Sequence, residues 1–132
     1  MAREARIRTP LARVRGLGAS KSGTEDFWNI RLTSIALVPL TVWFVVSLLT
    51  LPSLGYGTLV AWMSQSWTAL LLILLVLTAA WHSQLGVRVV VEDYVHGTGA
   101  RTLTLVMLGF AHVLLAAAGV FAVLKVAFGA AP

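Results

Sequence analysis

Residues 32–87 read LTSIALVPLTVWFVVSLLTLPSLGYGTLVAWMSQSWTALLLILLVLTAAWHSQLGV and contain no Asp, Glu, Lys or Arg. One membrane crossing takes about 20 apolar residues, so this stretch is too long for one helix and long enough for two. Proline and glycine in residues 52–57, PSLGYG, predict a turn between them. We therefore predict spans at about 32–51 and 67–90. The tryptophans of residues 59–67 suit a short interfacial segment, because indole rings favour the headgroup level.

A third uncharged run, residues 102–124, predicts the third span. The composition agrees, since 58% of the chain is apolar and 11% is charged, whereas about a quarter of a soluble domain is charged. The predicted fold class is an all-α integral membrane protein with three transmembrane helices. Pro39 lies within the first predicted span, where its missing backbone donor predicts a modest kink.

The basic residues predict the orientation of the chain. Seven of the ten Lys and Arg residues lie at or before Arg31, Arg88 and Arg101 are assigned to the second loop, and Lys125 lies in the tail. The positive-inside rule then places the N terminus and the second loop in the cytoplasm, with the first loop and the C terminus outside. Residues 1–26 are predicted to form a basic cytoplasmic arm, and residues 27–132 the membrane domain.

Composition also restricts the chemistry. The 132-residue chain has no cysteine, which excludes disulfides, thiol catalysis and clusters ligated by thiolates of this chain, so redox chemistry would need a borrowed cofactor. We predict no nucleic-acid partner, because the basic residues lie mainly on an arm rather than on a soluble surface. Three helices bury little surface between them, so we expect the chain to pack against other membrane helices as well as lipid.

His82 is the most notable polar residue of the predicted spans. An imidazole in hydrocarbon needs a partner, and it could bond to a neighbouring helix, belong to a proton path, or ligate a metal such as haem iron. The first use is the most common. Gly86 follows one turn later on the same face and favours close approach, of a flat macrocycle or of another helix. His112, in the third span, is interpreted mainly as a hydrogen-bonding core histidine, with haem ligation as the alternative.

Asp93 and Tyr94 follow near the end of the second predicted helix. Asp93 is eleven residues after His82, so the two would lie on one face, about 16 Å apart, if the helix persists. Tyr94 and Asp93 could hold a quinone carbonyl, or they could be an interface tyrosine beside a solvated acid. Arg31 could anchor the first helix in the headgroups or bind an anionic group such as a haem propionate.

Two motifs resemble those of the hydrophobic membrane anchor subunit of succinate dehydrogenase, in particular the smaller of its two anchor chains. They are residues 22–37, SGTEDFWNIRLTSIAL, and residues 82–96, HSQLGVRVVVEDYVH. The resemblance extends from about residue 22 to the end of the third span. Its specific part is H-x-x-x-G followed by D-Y, with the aspartate eleven residues after the histidine.

The resemblance implies that the three helices form half of a haem-binding bundle. His82 would be an axial ligand of haem b, with the other ligand from a second cytochrome b anchor subunit. Tyr94, with Asp93 beside it, would bind ubiquinone. Arg31 would lie near the haem propionates, and Gly86 would leave room for the haem.

The resemblance also implies a place in a larger complex. A flavoprotein and an iron–sulfur subunit would carry FAD and the clusters, and electrons from succinate oxidation would pass through them to quinone. The alternatives are a fumarate reductase anchor, a cofactor-free assembly subunit or a transporter subunit. The last is disfavoured because no Asp or Glu lies within the apolar runs.

Overall fold

Four helices make up the part of the chain that the computed structural model describes, residue 11 and residues 23–129. They are α1 (Gly23–Thr50), α2 (Tyr56–Met63), α3 (Ser66–Tyr94) and α4 (Thr98–Gly129). No strand occurs within these residues. Most of the predicted basic arm, residues 1–26, lies outside the described residues. The exceptions are residue 11 and residues 23–26, and residues 23–26 belong to α1.

Three of the helices are long and apolar enough to cross a membrane: Thr24–Thr50, Ser66–Tyr94 and Thr98–Gly129. This confirms the predicted all-α fold with three spans, and the chain is a multi-pass membrane protein. Each helix extends beyond its apolar run, since a helix keeps its backbone bonds where the side chains become polar. The helix of the first span begins at Gly23 rather than Leu32.

The assignment of Arg88 and Arg101 to the second loop was wrong. Arg88 lies in α3 and Arg101 in α4, and only residues 95–97 connect these helices. The charges mark where the apolar runs end, but they do not end the helices. At Arg101 the backbone N–H donates to the carbonyl of Gly97, so hydrogen bonding starts directly after the connection.

The long helices do not pack as a closed triangle. α3 lies in the middle and packs against both α1 and α4, whereas the backbones of α1 and α4 do not approach each other. Most large apolar side chains of the described helices are exposed, as expected of surfaces that meet lipid or neighbouring helices. α1 runs through Pro39 without interruption. The two tyrosines lie at opposite ends of this bundle, which we call the Tyr56 end and the Tyr94 end.

Close packing is concentrated toward the Tyr56 end. Ala69, Leu72 and Val123 form a small buried cluster, and several partly buried side chains from all four helices pack against it. Trp62 of α2 stacks on Trp43 of α1 with ring centroids 6.1 Å apart. The predicted interfacial segment is therefore a short helix whose Trp62 ring packs against the first span, while Trp67 stays exposed.

Candidate functional site

His82 is held by a hydrogen bond from the adjacent helix α1. Its Nδ1 atom lies 2.9 Å from the hydroxyl oxygen of Thr33, which is only 5% exposed. The same hydroxyl lies 2.7 Å from the carbonyl oxygen of Asn29 and 3.0 Å from that of Ile30. This contact is the helix-to-helix hydrogen bond that the sequence favoured for His82.

The contacts of Thr33 favour one tautomer of the neutral His82 ring. A threonine hydroxyl has one hydrogen, and carbonyl oxygens only accept, so the hydroxyl donates back to the preceding turn of α1. We therefore assign Nδ1 of His82 as the N–H donor toward Thr33. In the neutral ring Nε2 then keeps its lone pair. No described residue forms a hydrogen bond with Nε2. Unprotonated Nε2 is a form in which histidine binds metals.

Gly86 leaves the surface beside His82 open. It lies one turn further along α3, about 40° around the axis from His82. A Cβ atom built on Gly86 would have no neighbour within 4 Å among the described residues. The His82 face of α3 is therefore unobstructed at this level, and a flat group or another helix can approach the backbone.

Asp93 and Tyr94 lie at the end of the same helix. α3 is unbroken from His82 to Tyr94, so Asp93 lies on the same face of the helix as His82. Tyr94 is the last helical residue, and its side chain is 78% exposed. Its hydroxyl makes no hydrogen bond within the described part of the chain. A phenol in this position is free to donate to an external acceptor.

Arg31 is not brought together with His82. Its guanidinium carbon lies 4.4 Å from the centroid of the Phe27 ring, a cation–π contact along α1. Arg31 precedes Thr33 by two residues, so it lies about 160° around α1 from the side that faces His82. The side chain is exposed. The arrangement directs it outward from the α1–α3 pair.

An ion-pair cluster at the Tyr94 end was not predicted from the sequence. Arg88 Nε donates to Glu92 over 2.9 Å, and its Nη1 atom lies 3.7 Å from a carboxylate oxygen of Asp26. The first pair follows the i, i+4 spacing of one helix, which the sequence alone could have suggested. The second joins α1 to α3 and depends on how the helices meet.

His112 has partners for both ring nitrogens. Its Nδ1 lies 2.9 Å from the carbonyl of Leu108, so Nδ1–H donates within α4. Its Nε2 lies 3.2 Å from the hydroxyl of Ser83, which then acts as donor across the α3–α4 interface. The structure thus agrees with the interpretation of His112 as a hydrogen-bonding histidine.

Residues 5–124 match the family described as "Succinate dehydrogenase/Fumarate reductase transmembrane subunit". The chain belongs to this family. The match covers all three long helices apart from the last residues of α4, and it includes both motifs that carried the resemblance.

Three relatives of the chain share one name. The chain is 28% identical over 122 residues to the succinate dehydrogenase hydrophobic membrane anchor subunit of Paracoccus denitrificans, covering 92% of this chain and 94% of that protein. It is 27% identical over 90 residues to the subunit of the same name from Rickettsia conorii, with 67% and 71% covered. The Rickettsia bellii subunit is 24% identical over 117 residues, with 89% and 94% covered.

Proposed function

We propose that the chain is the membrane anchor subunit of a succinate:quinone oxidoreductase that supplies one axial ligand to haem b and part of the quinone site. The single observation that carries the haem assignment is the state of His82. Its Nδ1 is committed to Thr33, which leaves Nε2 as a lone-pair donor beside the open surface at Gly86. The second axial ligand would come from a second cytochrome b anchor subunit.

The residues present suit the haem. A neutral imidazole with a fixed N–H partner is a good iron ligand, and a glycine one turn away admits a planar ring close to the helix. When bound, haem b supplies a one-electron redox centre inside the membrane. Arg31, exposed on α1, would bind a propionate only if the haem extends to the outer side of that helix.

The quinone site is proposed at the Tyr94 end. The Tyr94 hydroxyl would donate a hydrogen bond to a ubiquinone carbonyl, and this bond strengthens as negative charge develops on that oxygen during reduction. Asp93 would hold a proton or a water beside it. The overall change adds two electrons and two protons to the quinone, and the electrons come from succinate oxidation in the flavoprotein through the iron–sulfur subunit.

The charges support the proposed orientation. Nine of the ten basic residues lie before α1 or near the Tyr94 end of the helices, and Lys125 alone lies near the Tyr56 end. The positive-inside rule therefore favours the Tyr94 end as cytoplasmic in a bacterial inner membrane, with the C terminus in the periplasm. The soluble subunits would then dock on the side where quinone is bound.

The three alternative functions make different predictions. The family description includes fumarate reductase, which runs the reaction in the opposite direction, but the three relatives named above are succinate dehydrogenase subunits. A cofactor-free assembly or transporter subunit would give a purified complex without the optical spectrum of a b-type haem. The direction of reaction is decided by comparing succinate oxidation and fumarate reduction rates in that complex.

The decisive experiment replaces His82 within the complete complex. We expect His82→Ala to abolish the reduced-minus-oxidised spectrum of haem b, because the iron loses an axial ligand. His112→Gln is the control, since the ring nitrogens of His112 are already engaged by Leu108 and Ser83. Normal haem content in His82→Ala would contradict the assignment.

A further inference from the structure

Thr33 belongs to neither of the residue sets assigned to haem or quinone, yet it is one of two buried polar side chains in the described part of the chain. The other is Thr68, whose hydroxyl donates to the side-chain oxygen of Gln65, the residue before α3. Thr33 bonds within its own helix and also to a residue 49 positions away on another helix. Its burial beside His82 suggests a role that depends on that ring.

We infer that Thr33 is a positioning residue that sets the tautomer and orientation of the neutral His82 ring, so that Nε2 is presented to iron. The inference rests on the proposed function of His82 as a haem ligand. Thr33 does not touch the haem; it acts through the imidazole.

The hydrogen bonds at Thr33 run in one direction, from His82 through the Thr33 hydroxyl to the carbonyls of α1. The carbonyls of Asn29 and Ile30 accept from the Thr33 hydroxyl, and that hydroxyl oxygen then accepts from Nδ1–H of His82. A hydroxyl whose proton is committed in this way cannot donate to Nδ1. The alternative tautomer, with the proton on Nε2, would leave Nδ1 facing an oxygen that has no hydrogen to offer.

The Thr33 side chain is held in a fixed orientation. The bonds of the Thr33 hydroxyl to the carbonyls of Asn29 and Ile30 hold its side chain in one rotamer. The accepting lone pair therefore has a fixed direction relative to α1. Because α1 packs against α3, this direction determines how the His82 ring is rotated about its own bonds.

The electronic consequence gives a signature that packing alone would not produce. A hydrogen bond from the non-coordinating N–H of a ligand histidine makes the ring a stronger donor to the metal. A more electron-rich ligand favours the ferric state. Removal of the Thr33 hydroxyl is thus expected to raise the reduction potential of the haem and to weaken its retention by about 10–100-fold.

The experiment compares two pairs of side chains at position 33, and within each pair only one member has a hydroxyl. The first pair is wild type and Thr33→Val, which have nearly equal volume. The second pair is Thr33→Ser and Thr33→Ala, which are both smaller. Each variant is introduced into the complete complex, where haem content, midpoint potential and the electron paramagnetic resonance spectrum of the ferric haem are measured. Thr68→Val is the control for loss of a buried threonine hydroxyl elsewhere.

We expect wild type, Thr33→Ser and Thr68→Val to agree in potential and spectrum. Thr33→Val and Thr33→Ala should share a raised potential, an altered spectrum and faster haem loss. If Thr33→Val fails to assemble, the comparison of serine with alanine decides the question. Equal potentials and spectra within that pair would overturn the inference.

Failure of the inference is distinguishable from failure of the proposed function. Loss of haem in His82→Ala with unchanged haem in Thr33→Ala retains His82 as the ligand and removes Thr33 from the explanation. Full haem in His82→Ala overturns both, because Thr33 would then have no iron ligand to position.

Discussion

The Asp26 carboxylate lies 3.7 Å from the guanidinium of Arg88, and this ion pair joins α1 to α3 at the Tyr94 end. Arg88 also bonds Glu92 one turn along its own helix, so one cation serves two acids. The side chains are 37–44% exposed, and water and salt therefore weaken both attractions.

Arg88→Gln should lower stability slightly, and only at low ionic strength. Exposed ion pairs contribute about 0–1 kcal/mol each, and at 1 M salt the screening length falls to about 3 Å. The measurement is thermal unfolding of the solubilised complex at low and high salt. Arg101→Gln, an exposed arginine in the first turn of α4, is the matched control. A loss of stability that persists unchanged in 1 M salt would rule out the electrostatic explanation.

Gly119→Ala should disrupt the packing of α3 against α4. A Cβ atom at this position would lie 2.7 Å from Cγ1 of Val76, which is a β-branched and therefore stiff neighbour. Overpacking of this kind costs about 1–3 kcal/mol. The loss is measured as the decrease in thermal stability of the complex.

Gly109→Ala is the control for Gly119, because its added Cβ would meet its nearest neighbour, on Gln84, at an ordinary 3.6 Å. The double variant Val76→Ala with Gly119→Ala should recover much of the loss, since the clashing methyl groups are gone. Equal destabilisation by Gly109→Ala and Gly119→Ala would show that the close approach is unimportant.

Ser83→Ala should loosen the same interface without a steric change. The lost bond to His112 is worth about 0.6 kcal/mol on average for a hydrogen bond between membrane helices. Ser34→Ala is the control, because the Ser34 hydroxyl donates to the carbonyl of Ile30 in its own helix. Thermal stability is compared for the two variants, and a larger loss from Ser34→Ala would be the opposite of what the contacts require.

Tyr94→Phe tests the proposed quinone site. Loss of one donor to a developing negative charge should slow quinone reduction by about 10²-fold, whereas succinate oxidation with an artificial soluble acceptor stays nearly intact. Both activities are measured on the same purified complex. Tyr56→Phe removes the only other phenol of the chain, at the opposite end, and should leave both rates unchanged. Equal loss of the two activities in Tyr94→Phe would contradict the assignment.

The sequence predicted the three spans because uncharged runs are a property of composition alone. It also predicted that Asp93 shares a face with His82, since that depends only on the period of one helix. Helix ends were less predictable. Arg88 and Arg101 were assigned to a loop because charge limits the hydrocarbon region, whereas both residues are helical and only residues 95–97 lie between the two helices.

Contacts between helices were not predictable in the same way. Thr33, Asp26 and Ser83 were visible as polar residues, but their partners depend on the rotation and relative height of neighbouring helices. Many weak side-chain contacts set those quantities together. For the contact with His82, the sequence offered one signal. Thr33 is a hydroxyl residue in an apolar run, and it lies in the motif of residues 22–37 that resembles the anchor subunit.

Because α3 is one unbroken helix, the number of residues between His82 and Tyr94 fixes both the angle and the height between them. Inserting a single residue in this interval would turn the phenol about 100° around the axis and shift it about 1.5 Å. The segment should therefore accept many changes of residue type and few changes of length. An insertion there would misalign His82 and Tyr94 even though every existing side chain was kept.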